Sequence, residues 1–185
     1  MQPILYLDYD GCTHSEDVRL VKRRPAIFEN NMISTRPLFE HVQLLEELLA
    51  PHPELRIVLS TSWVRHMGYS YSLRQLTPGL QARVIGATWH SHMRHENAGA
   101  ECFDQLSRFQ AICADAARRR NDNWLALDDN LDDWPEVWRH KVVTPTDPIL
   151  ALGQPGKADE LAAALNQLCR AQFGKLPAGV DTDRF

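Results

Sequence analysis

Four apolar residues, Ile4-Leu5-Tyr6-Leu7, run straight into Asp8-Tyr9-Asp10-Gly11, and no other feature constrains the chain more. A short apolar run bounded by a turn signal reads as a strand buried on both faces. Side chains alternate along a strand, so Asp8 and Asp10 face the same way if strand geometry persists. Gly11 lets the chain bend just past the strand without Cβ strain. Two carboxylates placed together at a sheet edge repel each other. They need a cation between them or a proton on one of them. The alternative is a strand ending in an ordinary acidic turn, since Asp and Gly are common turn residues.

Two further apolar runs repeat the arrangement. Arg56-Ile57-Val58-Leu59 ends in Ser60-Thr61-Ser62-Trp63, and Trp124-Leu125-Ala126-Leu127 ends in Asp128-Asp129-Asn130, with Asp132-Asp133 close behind. Helix-like segments separate the three runs. Strand-helix alternation predicts an α/β fold with a parallel, Rossmann-like sheet and helices on both faces. In such sheets ligands bind at the carboxyl ends of the strands. Those ends would gather an acid pair, a hydroxyl cluster and a second acid pair.

The intervening segments predict one domain over residues 1–174, a length sufficient for a real core. Residues 12–34 lack helical periodicity and read as a flap or small hairpin. A helix follows, with Ser34 or Thr35 as its cap and Pro37 in its first turn. Leu38, His41, Val42, Leu45, Leu48 and Leu49 share one face, and Pro51 and Pro53 end it. Residues 63–80 are mixed, with a turn at Pro78-Gly79. Val84-Ile85-Gly86 and Val142-Val143 read as short strands, 88–100 as loop, and Phe103 to Ala117 as a helix. The last helix carries Leu161, Leu165, Leu168 and Cys169 on one face, and 175–185 reads as a flexible tail. The stretches between the three motif strands are too short for a large cap domain.

A net charge of −4 argues against broad attraction to nucleic acid. The basic run Arg19 to Arg24 and the triplet Arg118-Arg119-Arg120 are local exceptions that read as solvated faces, the triplet at a helix end where positive charge suits the dipole. Cys12, Cys102, Cys113 and Cys169 show no metal spacing and read as free thiols in a reducing cytosol. His90, His92 and His95 have no fourth ligand at a standard spacing, so they read as a polar loop near the mouth of the site rather than a zinc centre. No charged-then-apolar leader and no bilayer-length apolar stretch is present, which predicts a cytoplasmic protein without a membrane partner.

The ordered set of strand-end motifs resembles the haloacid dehalogenase (HAD) superfamily, mostly phosphohydrolases. Asp8, Asp10 and Gly11 match its first motif, Ser60 its second, and Asp128 and Asp129 its fourth. More narrowly, Ser60-Thr61-Ser62-Trp63 with nearby Arg65, and Leu127-Asp128-Asp129, look like the HAD domains associated with Swiss army knife RNA repair proteins. One departure stands out. The family's third motif is normally a Lys ahead of the fourth-motif strand, and this chain has no Lys between Lys22 and Lys141. That role therefore falls to an arginine, Arg108 first and Arg94 second, or to no residue at all.

The resemblance and the residues together imply a Mg²⁺-dependent phosphohydrolase. Mg²⁺ prefers hard oxygen ligands. Asp8, the backbone carbonyl of Asp10, and Asp128 or Asp129 would supply them. Asp8 would be the nucleophile that forms an aspartyl-phosphate. Asp10 would act as general acid and then general base. Ser60 and Arg108 would hold the phosphoryl oxygens, with Gly11, Thr61, Arg65 and Arg94 as substrate contacts. The expected substrate is a phosphorylated compound, either a nucleic-acid or nucleotide terminal phosphate or a small phosphomonoester. Two other classes stay open. A receiver-like module would carry its paired acids early and its Lys late, the reverse of the order here; a catalytically silent phospho-binding module would have no need of both acids of the first motif. The sequence leaves the oligomeric state open.

Overall fold

The computed structural model describes residues 1–22, 24–89 and 106–170. Its centre is a parallel five-stranded sheet built from β1 (Ile4–Leu7), β5 (Arg56–Leu59), β6 (Val84–Ala87), β7 (Trp124–Leu127) and β8 (Val142–Val143), in the order β6-β5-β1-β7-β8. The chain steps outward on one side of β1 and then crosses to the other. β1 therefore lies where the strand order reverses, the place at which open α/β sheets bind ligands.

Period-two alternation divides the core into two halves. Leu5, Leu7, Ile57, Leu59, Leu125 and Leu127 face one side, where they pack with Leu45 and Leu49 of α1 (Val42–Leu49) and Leu161 and Leu165 of α6 (Lys157–Arg170). Ile4, Tyr6, Val58, Trp124 and Ala126 face the other, against Ile112 and Ala116 of α5 (Arg108–Arg119). Helices thus cover both faces, and no cap domain is evident among the described residues. This is the expected α/β, HAD-like arrangement.

Residues 12–34 contain a three-stranded antiparallel sheet, β2 (Val18–Val21), β3 (Arg24–Glu29) and β4 (Met32–Ile33). Its side chains are largely half-buried or exposed, with Ile27 the buried one.

Helix starts differ from expectation at two places. The helix expected from Ser34 or Thr35 begins only at Val42, with His41 as cap residue and no side-chain cap bond. Tertiary packing decides this: Phe39 adopts a φ of 62° and directs its ring onto His14 and Trp63, while His41 N–H donates to the Thr13 carbonyl. The helix expected from Phe103 starts at Arg108 as described. Ser107 and Gln110 form a capping box, with Ser107 Oγ accepting from Gln110 N–H (3.2 Å) and Gln110 Oε1 accepting from Ser107 N–H (2.8 Å). The Ser-x-x-Gln spacing was the legible signal. Residues 63–80 resolve into α2 (Ser62–Met67) and α3 (Tyr69–Leu73), and Pro78 starts α4 (Pro78–Gln81) rather than only a turn. The tail 175–185 lies outside the described residues.

Candidate active site

Strand register builds the site. Leu7 is in register with both Leu59 and Leu127, so the residues that follow, Asp8, Ser60 and Asp128, emerge side by side. The ladder continues one step further: Ser60 N–H donates to Leu7 O (2.8 Å) and Asp8 N–H to Leu127 O (3.0 Å). Each follows a residue that faces α1 and α6, so alternation turns all three toward the α5 face. The first residue of α5 is Arg108, placed there by the capping box one residue earlier.

Arg108 Nη2 lies 2.8 Å from Asp8 Oδ2, and its Nε lies 3.3 Å from Asp128 Oδ2. Its Nη1 also donates to the Ser60 carbonyl. Tyr9 N–H donates to Asp8 Oδ1 at 2.7 Å, and the Thr61 side chain adds a further hydrogen bond to the same carboxylate. Asp8, Asp128 and Asp129 offer carboxylate oxygens within 4.8 Å of one another. Burial raises Asp8 above the ordinary carboxylate range; Arg108 opposes the rise and Asp10 adds to it. Asp128 is pushed up well above that range by burial and then by Asp8, and Asp129 rises to about 7 for the same two reasons. Gathering three acids in a water-poor site is costly, and a bound cation relieves that cost.

Two buried polar atoms here have no hydrogen-bond partner, Asp128 Oδ2 and Ser60 Oγ. The Arg108 Nε contact with Asp128 is an ion pair without hydrogen-bond geometry. Buried polar groups are normally satisfied. The orphan carboxylate oxygen suits a hard cation and the orphan hydroxyl suits a phosphoryl oxygen, so the residues fit Mg²⁺.

Gly11, at φ 66°, is required by a close approach: a Cβ there would lie 2.6 Å from Asp129 Cγ. Thr61 caps α2 by accepting from Trp63 N–H (3.3 Å). Thr61, Arg65 and Arg108 line a single cavity of about 270 Å³ that reaches Thr88 and Trp134.

Asp10 takes a different direction from Asp8. The chain leaves strand geometry at Leu7, and Asp10 Oδ1 accepts from Trp63 Nε1–H (2.8 Å) and contacts His14 Nε2 (3.1 Å). Its side chain is not among the clustered metal-site carboxylates. His14 and Trp63 are additions that the sequence did not announce as site residues; the Trp after Ser-Thr-Ser was the only hint.

Residues 4–154 match the family described as the HAD domain in Swiss Army Knife RNA repair proteins. The chain belongs to this family. No curated protein and no solved structure gives a significant match. Membership makes this HAD domain a hydrolase domain of the phosphohydrolase kind, and HAD domains generally use Mg²⁺.

The remaining expected residues divide cleanly. Arg108 stands at the acids, paired with Asp8 and Asp128. Arg94 and the His90, His92 and His95 loop lie outside the described residues, as does Cys102. Cys12 is fully buried beside the acids, and burial followed by Asp8 pushes its thiol well up, so it is a poor nucleophile. The triplet at the end of α5 is not a free basic patch. Arg118 and Arg119 both pair with buried Asp115, the latter at 2.6 Å, and Asp115 Oδ2 also accepts from Tyr6 O–H (2.9 Å). At the amino edge of the sheet, His52, Glu54 and Cys169 also converge within 4.8 Å. There burial and the hydrogen bond to Glu54 push the thiol up to about 12, so it stays a neutral donor. No helix among the described residues is long and apolar enough to cross a membrane.

Proposed function

We propose that this HAD domain is a Mg²⁺-dependent phosphohydrolase that works through an aspartyl-phosphate on Asp8 and removes a terminal phosphate from a nucleic acid or nucleotide. One observation carries the reading. At adjacent strand ends the buried carboxylates of Asp8 and Asp128 meet the Arg108 guanidinium, which also holds the backbone of Ser60, a residue whose buried hydroxyl has no hydrogen-bond partner. Asp8 Oδ would attack phosphorus as the bond to the leaving oxygen breaks, and Asp10 would give that oxygen its proton. Asp10 would then take a proton from water, whose oxygen attacks phosphorus and releases phosphate and Asp8. Ser60 Oγ and Arg108 would hold the phosphoryl oxygens. Asp8, the Asp10 carbonyl and Asp128 or Asp129 would hold Mg²⁺, which neutralises charge on the acids and the incoming phosphate. Arg65, on the wall of the same cavity, and Arg94 would contact the substrate.

A small phosphomonoester is the second reading. Two observations favour recognition of an end group over a long strand: the net charge of −4, and the pairing of Arg118 and Arg119 with Asp115. The test is a panel of phosphate esters, including 3′- and 5′-phosphorylated oligonucleotides and an aryl phosphate, with Mg²⁺ or with chelator. Phosphate release from oligonucleotide ends that requires Mg²⁺ supports the first reading. Release from small esters only gives the second, and no release from any ester rejects both. Arg65→Ala and Arg94→Ala should raise KM for an oligonucleotide more than for the aryl phosphate, and less so at high salt, where phosphate contacts are already weakened.

A further inference from the structure

The two acids of the first motif are held by different machinery. Asp8 sits in the ladder and the ion pair, whereas Asp10 lies beyond the strand, where an aspartate side chain ordinarily samples several rotamers. Here one of its oxygens takes two contacts from separate parts of the chain. Trp63 Nε1–H donates to Oδ1 from the first turn of α2, and His14 Nε2 reaches the same oxygen from the turn after Gly11. The second oxygen, Oδ2, has no hydrogen-bond partner among the described residues, and Asp10 lines a cavity of about 160 Å³ with Val18 and Leu20 of the small sheet and Met67 of α2.

Both partners are themselves fixed. Thr13 Oγ1 lies 3.0 Å from His14 Nδ1 and 3.1 Å from Tyr9 O. With the Thr13 hydroxyl donating to Nδ1, the ring carries its hydrogen on Nε2 and donates it to Asp10 Oδ1. The His14 ring is fully buried, with Phe39 packed on it at 4.5 Å. Trp63 is packed by Phe39 (5.0 Å), His14 (5.6 Å) and Tyr9 (6.1 Å), and Tyr71 stacks on it at 6.3 Å. Phe39 adopts its left-handed φ of 62° in closing this box, a conformation that non-glycine residues hold only where surrounding structure over-determines it. An indole N–H aimed at a carboxylate is a charge-assisted bond with little freedom to drift.

We propose that His14 and Trp63 are positioning residues: they clamp Oδ1 of Asp10 so that Oδ2 is presented to the leaving oxygen of the substrate. The inference rests on the phosphohydrolase reading and adds to it the side from which the leaving group departs, the cavity between the small sheet and α2. Proton delivery matters most when the leaving group is a poor one. Loss of the clamp therefore weakens turnover of an alkyl phosphate, whose alkoxide leaves badly, far more than that of p-nitrophenyl phosphate, whose phenolate leaves unaided.

The experiment compares kcat for these two esters in the wild type, Trp63→Phe, His14→Gln and Asp10→Asn, all with saturating Mg²⁺. Trp63→Phe keeps the ring packing and removes only the donor; if His14→Gln does not fold, Trp63→Phe carries the test alone. The expected result is a loss of roughly tenfold to a hundredfold on the alkyl ester, with a much smaller loss on the aryl ester, part of the hundredfold or more that general acid catalysis contributes. Asp10→Asn should show the same split more strongly. Equal losses on both esters, or none, in an active wild type overturn the clamp alone. A wild type inactive on both and on phosphorylated oligonucleotides overturns the phosphohydrolase reading and the clamp with it; where only the oligonucleotide is cleaved, its terminal phosphate serves as the alkyl ester.

Discussion

The five-stranded sheet and the small antiparallel sheet of residues 18–33 reach the same site from opposite physical regimes. β1 and β7 are buried along their whole length, and their ends carry the raised-pKa acids. The small sheet exposes Leu20, Met32 and Ile33, and it borders the site through the cavity it shares with Asp10. The difference teaches a division of labour. The crowded acids are set at the ends of buried, doubly covered strands. The cavity beside Asp10 is walled on one side by the largely exposed small sheet, where local opening costs little.

The strongest attempt to break this comparison is Asp8→Asn. An amide cannot attack phosphorus, so Mg²⁺-dependent phosphate release should fall to the detection limit while circular dichroism remains native. Near wild-type turnover would remove Asp8 from the nucleophile's role.

Arg108→Ala comes next, since it leaves Asp8 and Asp128 buried without their guanidinium. Removing one partner of a buried ion pair should destabilise the metal-free protein by about 3 kcal/mol. Mg²⁺ should recover part of that loss, because it binds the native state alone. Chemical denaturation with and without Mg²⁺ measures both numbers, and unchanged stability would show that the guanidinium does not balance these acids.

A direct contrast of the two sheets follows. Leu125→Ala, in the buried strand β7, should cost about 2–5 kcal/mol, as a large-to-small core substitution does. Leu20→Ser, on the exposed strand β2, should change stability by no more than about 0.5 kcal/mol. Comparable costs would mean that the small sheet is an integral part of the core.

A pH dependence tests the acids themselves. Asp129 rises from the ordinary 3.8 to about 7 in the folded protein. A raised folded-state pKa contributes stability fully below the unfolded value, and this is lost as pH climbs through the folded one. The metal-free protein should therefore lose stability between about pH 4 and pH 7 through this group, and burial of Asp8 and Asp128 works in the same direction. Mg²⁺ needs the carboxylates deprotonated, so the rise in Tm that it produces should grow as pH passes about 7. A Mg²⁺ effect on Tm that is flat with pH would place the ion away from Asp129.

The chain alone determined the strands, their polar ends and the family. Buried parallel strands must be continuous apolar runs, and the acids and hydroxyls that follow them cannot be buried without a task, so this information is local and survives in one dimension. It also pointed to Arg108, because only an arginine was there to replace the missing lysine. Tertiary structure decided the rest. Register put Asp8, Ser60 and Asp128 abreast, and the capping box at Ser107 set Arg108 at the head of the helix that faces them. Asp8 and Asp10, two residues apart, could be read as a pair, yet the bend at Gly11 and the box of Tyr9, His14, Phe39 and Trp63 sent them to different neighbours. Those rings come from positions 9 to 63. Contacts between residues so far apart in sequence depend on how the chain closes, which no local pattern encodes.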